Sequence, residues 1–564
     1  MNAIIRDHLA FLYGESRADE VADALAALLA RAREKNAPRW PADARPTQRD
    51  AILIAYGDQV RAEGEPPLRT LGNFLAARAA DAISAVHILP FYPSSSDDGF
   101  SVMDYFAVDP ALGAWEDVAA LGGRFDLMFD AVFNHASAEG VWFKNFVAQK
   151  PGWETAFVTV EGDPDLSAVV RPRALPLLTE FQTSAGRRHV WTTFSADQVD
   201  INFADPRMML RVLEALLFYV ERGARYIRLD AIAFLWKEPG TTSIHLPQTH
   251  AAIQLMRAAL DEVAPAVQLI TETNVPHQDN VSYFGDGTNE AQMVYNFALP
   301  PLVFHTLRTG DATALSRWAR TLVLPNSRVT FFNFLASHDG IGLNPARGLL
   351  APVEIDALVE TAVAHGGFVS YKALSDGSKS PYELNVNYFD ALSNPAADEP
   401  AETQVARFLA AHAIMLALRG VPGIYFHSLF GSRGDRAGAE ASGIPRRINR
   451  EKLRADALGA ELDEPGSRRA RVFAGLRAML AARAAHEAFD PHGEQEVLES
   501  PREIFAIRRG KDVLCLTNVS AHETTLALPE GEWTPICGGG EVSAGAIALA
   551  PYGVAWLRNR GSDS

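Results

Sequence analysis

The sequence predicts an α/β fold: a (β/α)8 TIM barrel with subdomains inserted in its loops and a small antiparallel β domain at its C-terminal end. Three observations carry this expectation. Eight short apolar runs recur between residues 52 and 426, most are separated by stretches of helical periodicity, and several end abruptly on charged or amide side chains. Strands of such a barrel deliver their last residues to one mouth, where catalytic groups are usually carried. The run Tyr226-Ile227-Arg228-Leu229-Asp230 is the clearest example, and Asp230 is the first candidate for the chemical centre.

Residues 1–48 read as an extension of Ala- and Leu-rich helices, closed by Pro38, Pro41 and Pro46. The barrel is expected over 49–135 and 201–486. Its strands are Ile52-Tyr56, Ala85-Leu89, Leu127-Phe133, Tyr226-Leu229, Val267-Ile270, Met293-Phe297, Val329-Leu335 and Gly423-Phe426. Two gaps are too long for simple loops. Residues 136–200 hold Trp142, Trp153, Trp191 and several β-like runs, and read as an inserted domain. Residues 340–400, rich in Gly, Pro, Ser and Asn, read as an irregular second insertion. Long insertions at a barrel mouth usually carry binding function. From 487 to 564 the pattern becomes short alternating runs such as Ile504-Phe505-Ala506-Ile507, which predicts antiparallel strands before the polar tail Gly561-Ser564.

A length of 564 residues exceeds one compact core. Lys+Arg number 52 against 69 Asp+Glu, and the net charge of −17 argues against nucleic acid or an anionic membrane as partner. It leaves room for a small anionic substrate, which answers to local charge. Two cysteines, Cys515 and Cys537, make neither a disulfide framework nor a cysteine metal site. With a polar N-terminus and no apolar run of membrane length, a cytoplasmic enzyme is the simplest reading. Gly538-Gly539-Gly540 has no helix after it and reads as a turn, so no nucleotide cofactor is expected.

The chemistry gathers at the strand ends. Asp130, Asn134 and His135 close the third strand, Arg228 and Asp230 the fourth, Glu272 the fifth, and His338 and Asp339 the seventh. One such carboxylate alone reads more simply as a loop cap or salt bridge. Three at the mouth of one barrel can divide into nucleophile, proton donor and electrostatic stabiliser if their surroundings separate their pKa values. Asp230, beside the fixed cation of Arg228, is expected to stay ionised. Glu272 has no neighbouring cation in sequence and would hold a proton in an apolar pocket.

These segments, Asp130-Ala131-Val132-Phe133-Asn134-His135, Gln198-Val199-Asp200-Ile201-Asn202, Arg228-Leu229-Asp230-Ala231, the Glu272 strand end and His338-Asp339, resemble the ordered signature regions of the α-amylase family of glycoside hydrolases and transglycosidases. Further segments, among them His87-Ile88-Leu89-Pro90-Phe91-Tyr92-Pro93, Arg171-Pro172-Arg173 and Ile448-Asn449-Arg450, are similar to its sucrose phosphorylase branch. The resemblance spans about residues 50–480. It implies that Asp230 is the nucleophile, Glu272 the general acid/base and Asp339 the group that grips the sugar and stabilises an oxocarbenium-like transition state. It also implies a glucose pocket of Asp97, His135, Arg228, His338 and Arg450, with Phe100, Phe194 and Phe234 as apolar walls.

The acceptor decides the activity, and a phosphorylase must admit phosphate while excluding water. The resemblance implies that Arg173 and Tyr382 contact phosphate, although an isolated Arg-Pro-Arg reads as a solvated turn. The sequence departs from sucrose phosphorylases after Glu272, where Thr273-Asn274 stands, in the loop holding Arg347, and at Glu383, where that group usually has glutamine. Here it is more similar to the glucosylglycerate phosphorylases. The resemblance therefore implies reversible phosphorolysis of 2-O-α-D-glucosyl-D-glycerate, with Arg173, Asn274, Arg347, Tyr382 and Glu383 around the acceptor and inorganic phosphate as co-substrate. Glu383 would hold glycerate hydroxyls, although it opposes an anion unless arginines dominate. Sucrose, sucrose 6-phosphate or glucosylglycerol phosphorolysis, α-glucosidase or transglucosidase activity, and an inactive carbohydrate-binding module stay open. Asn134 stands where many amylases bind calcium, but the resembling branch works without that ion and no metal is expected. A homodimer is compatible with this reading.

Overall fold

A computed structural model describes residues 3–36, 39–373, 378–543 and 545–560; Pro38 and the tail 561–564 lie outside the described residues. The eight apolar runs form a closed parallel barrel. Its strands are β1 (Ile52–Ala55), β2 (Ala85–Ile88), β3 (Asp126–Ala131), β4 (Ala224–Leu229), β5 (Gln268–Thr271), β6 (Met293–Tyr295), β7 (Thr330–Phe334) and β8 (Val421–Tyr425). They neighbour one another in chain order, and β8 closes on β1 with Ile52 opposite Gly423. Most strand residues are buried on both faces, which is why the runs read as continuous rather than alternating.

Helices Ala3–Tyr13 and Glu15–Lys35 pack on the barrel helices Pro206–Glu221 and Pro247–Val263. The seam is the buried stripe Ile5, Leu9, Leu25 and Leu29, and the Tyr13 hydroxyl donates to Phe203 O at 3.1 Å. Beyond the barrel, the strands Gln495–Val497, Ile504–Arg509, Val513–Asn518, Val554–Asn559 and Trp533–Gly538 form one antiparallel sheet in that order, beside a further sheet of three strands. Arg509, fully buried, donates across to Ala417 O at 2.9 Å and ties this sheet to the barrel.

Two groups of elements stand over the mouth. Between β3 and β4, His135–Ser137 pairs with Gln198–Asp200, and a three-stranded sheet holds Gly186–Trp191 between its neighbours. Between β7 and β8 the expectation of an irregular stretch is corrected. Helix Pro352–Ala364 and an antiparallel sheet of Ile341–Gly342, Lys379–Asn385 and Phe368–Ala373 occupy it. The sheet's Ser, Lys and Glu content hides its strands from a hydrophobic pattern, because one of its faces borders a polar cavity.

Candidate active site

Backbone ladders set the strand-end carboxylates. Past the ends of β3, β4 and β5 the pairing continues by single bonds: Asp230 N–H donates to Ala131 O at 3.2 Å and Glu272 N–H to Leu229 O at 3.1 Å. The side chains then meet over one guanidinium. Arg228 Nη1 bonds both Asp130 Oδ1 and, at 2.7 Å, Asp230 Oδ1, while Nη2 lies 3.9 Å from Glu272 Oε1. Asp230 in contact with one guanidinium and Glu272 3.9 Å from it favour the short separation of a retaining pair, about 5–5.5 Å, over the wider spacing of an inverting one.

Ala231, directly after Asp230, is left-handed at φ 49°. A non-glycine residue there costs on the order of 1 kcal/mol. Its return is that the Ala231 N–H points at Glu272 Oε2, 2.9 Å away. That oxygen is thereby an acceptor, and the carboxyl's proton belongs on its other oxygen.

Arg228 does not by itself set the charge on Asp230. Burial pushes the Asp230 carboxyl above its ordinary value, and Arg228 only partly pulls it back. The reason is that Arg228 is shared: Asp130, with His87 Nε2 at 2.7 Å on its second oxygen, takes much of that charge. Burial also pushes Glu272 up to about 7, against the pull of Arg228 and with the help of Asp230 and Asp339. Asp230 is in contact with the guanidinium and Glu272 is more than an ångström further off, so the proton of this pair sits on Glu272. Burial would raise Asp339 too, but the guanidinium cations of Arg446, Arg450 and Arg228 outweigh it and hold that carboxyl well below the usual range. Burial pushes His338 down to about 3, so its imidazole is neutral.

Around these groups lies a cavity lined by Asp97, Phe100, His135, Phe194, Phe234, Asn274, His338, Arg173, Tyr382 and Glu383. Phe100 stacks on the His338 ring at 4.7 Å, and Phe194 meets Phe234 edge-on at 5.7 Å. His135 Nε2 donates to Phe100 O at 2.9 Å. Gly99, at φ 112°, lets this loop close on the barrel, since a Cβ there would stand 2.6 Å from Pro90 O. Elsewhere in the lining Asn274 Nδ2 donates to the Tyr382 hydroxyl at 3.3 Å, and burial keeps that phenol protonated.

Similarity now adds to the geometry. Residues 82–340 match the family described as alpha amylase, catalytic domain. The chain is 50% identical over 564 residues to a glucosylglycerate phosphorylase of Allomeiothermus silvanus, covering 98% of each chain. The chain belongs to the α-amylase family, in its sucrose phosphorylase branch. A sucrose phosphorylase of Agrobacterium vitis is 32% identical over 465 residues, with 78% of this chain and 88% of that one covered. The crystal structure of a sucrose 6F-phosphate phosphorylase from Thermoanaerobacter thermosaccharolyticum superposes with a TM-score of 0.73 at 23% identity, over 84% of this chain and 94% of that one.

Three sequence-based placements in this family site change. Arg450 does not line the cavity: it lies behind it, bonding Asp98 Oδ2 at 2.7 Å and His338 O at 3.0 Å. Arg347 also lies outside the lining, its guanidinium donating to Ser380 Oγ at 2.7 Å and Pro381 O at 2.9 Å. Glu383 lines the cavity as half of an ion pair, because both its oxygens take Arg446, at 2.9 and 2.6 Å. Arg446 also reaches Asp339 Oδ1 at 2.7 Å. It is the principal residue the sequence reading missed, along with Gln198, which donates to Asp97 Oδ2 at 3.3 Å, and Lys372. The Arg-Arg pair at 446–447, four residues before Arg450, was its only sequence signal.

Asn134, which stands where many amylases bind calcium, and its partner Asp200 are already engaged. Lys237 Nζ donates to Asn134 Oδ1 at 2.6 Å and pairs with Asp200 Oδ1 at 2.7 Å, with both members of the pair almost wholly buried. Among the described residues no group of three or more His, Cys, Asp or Glu is arranged to hold a metal ion. Also among them, no helix is long and apolar enough to cross a membrane. Lys237→Met leaves Asp200 a buried carboxylate without its cation, and is expected to destabilise the barrel by about 3–5 kcal/mol. Urea unfolding checks this; an unchanged midpoint contradicts it.

Proposed function

We propose that this chain is a retaining glycoside phosphorylase, a hexosyltransferase that converts 2-O-α-D-glucosyl-D-glycerate and phosphate reversibly into α-D-glucose 1-phosphate and D-glycerate. The observation that carries this is the 50% identity over 98% of both chains to a protein named glucosylglycerate phosphorylase. The site supports it with a protonated acid beside an ionised nucleophile on one guanidinium.

In the first step Asp230 attacks the anomeric carbon. The bond from that carbon to the glycerate oxygen breaks, and Glu272 gives its proton to the leaving oxygen. Asp339, held ionised by Arg446, steadies positive charge developing on the sugar ring. Phosphate then attacks the glucosyl ester, the carbon–Asp230 bond breaks, and Glu272 recovers a proton from phosphate. Two inversions leave the configuration retained. Arg173, which makes no hydrogen bond or ion pair among the described residues, and the Tyr382 hydroxyl are the groups assigned to phosphate. Both cysteines are free thiols, in keeping with a cytoplasmic setting.

The test is direct. Purified protein given glucosylglycerate and phosphate is expected to release α-glucose 1-phosphate and glycerate in equal amounts. Release of free glucose without glucose 1-phosphate overturns the proposal.

A further inference from the structure

Besides Arg171 and Arg173, which also line the cavity and make no ion pair among the described residues, the cations in and behind it fall into two groups. On the glucose side each is neutralised: Arg228 by Asp130 and Asp230, and Arg446 by Asp339 and Glu383. Across from them, Lys372 lines the cavity from strand Phe368–Ala373 and has no carboxylate within ion-pair distance among the described residues. Its single hydrogen bond there goes to Asn344 Oδ1, at 2.9 Å. Nearby, the Arg347 guanidinium binds only a hydroxyl and a carbonyl among the described residues, and no carboxylate there neutralises it.

An unbalanced, half-buried ammonium is costly unless an anion joins it, and burial together with Arg347 already lowers its pKa. Asn344, on the turn after Ile341–Gly342, holds one of its three N–H groups and leaves two for a ligand. The stem is flexible and the charge is a point, which suits a small carboxylate on a mobile acceptor better than a fixed fork does.

We infer that Lys372, positioned by Asn344, binds the carboxylate of the acceptor and so selects a small hydroxy acid over a neutral polyol. This deepens the proposed phosphorolysis of glucosylglycerate and rests on it. Glu383, locked on Arg446, then adds no free negative charge beside that carboxylate. Nor does Arg446, saturated by two carboxylates, compete for it.

The test follows the partition of one intermediate. With glucose 1-phosphate as donor, D-glycerate and glycerol compete for the same glucosyl-enzyme, so the ratio of their kcat/KM values is blind to any effect on phosphate. Lys372→Met and Lys372→Gln are each expected to lower the glycerate-to-glycerol ratio at least tenfold, chiefly through KM for glycerate, while Lys372→Arg keeps most of it. A ratio within twofold of wild type in Lys372→Met or Lys372→Gln overturns the assignment alone. Wild-type protein that glucosylates glycerol but not glycerate overturns both the assignment and the reading beneath it.

Discussion

Asp230→Ala is expected to lower phosphorolysis by at least about 10⁴-fold, because no other carboxylate in the cavity can take its place on the anomeric carbon. Glu272 is bound to the Ala231 N–H, and Asp339 is held by Arg446. The fold should survive the change, since Arg228 keeps Asp130 as its counter-ion and the Asp230 backbone bond to Ala131 is untouched. Two measurements separate chemistry from folding. Acid quenching of wild type during turnover should leave a glucosyl adduct on the peptide containing Asp230, absent from the variant, while the thermal midpoints of the two should agree. Phosphorolysis retained within tenfold of wild type removes Asp230 from the role of nucleophile.

Glu272→Gln should be nearly as damaging, but selectively. A glycerate alkoxide is a poor leaving group and needs the proton, so a loss of about 10²–10⁴-fold is expected with glucosylglycerate. Fluoride leaves without a proton, so α-glucosyl fluoride should glucosylate the variant with a far smaller loss. The pH dependence follows from the same group. Burial holds the Glu272 proton until about pH 7, so the acid form is present below that value and disappears above it. Glucosylation by glucosylglycerate should therefore fall as pH rises past about 7, with no such limb for the fluoride. Equal losses with both donors, or a limb shared by both, contradict general acid catalysis by Glu272.

Most of the fold was legible because barrel strands buried on both faces are written as apolar runs, and each of the eight begins and ends within two residues of the observed strand. The sheet bordering the acceptor side was not, since strands with one polar face and a Ser-Lys-Glu composition give no such run. In the site, residues fixed by a strand end were readable from the chain: Asp230, Glu272 and Asp339 each follow a barrel strand closely. Residues brought in by remote segments were not. Arg446 approaches from a short turn, Pro445–Asn449, past the last barrel strand. No local pattern states that it would reach both Asp339 and Glu383. Arg228 stands beside Asp230 as its place in the chain indicates, but Asp130 claims the same guanidinium from the neighbouring strand β3, in register with Arg228, and that sharing is silent in sequence.

The bridge from Asp339 through Arg446 to Glu383 makes the donor and acceptor halves of the pocket mechanically and electrostatically one piece. For anyone reshaping this protein to accept other alcohols, position 383 is consequently a poor handle. A substitution there frees half of an arginine that also sets the charge on the sugar-gripping carboxylate, so selectivity and glucose affinity would drift together. Among the described residues Lys372 hangs on no such chain, being tied there to Asn344 alone. It offers a place where the choice of acceptor can be edited while the glucose machinery is left alone.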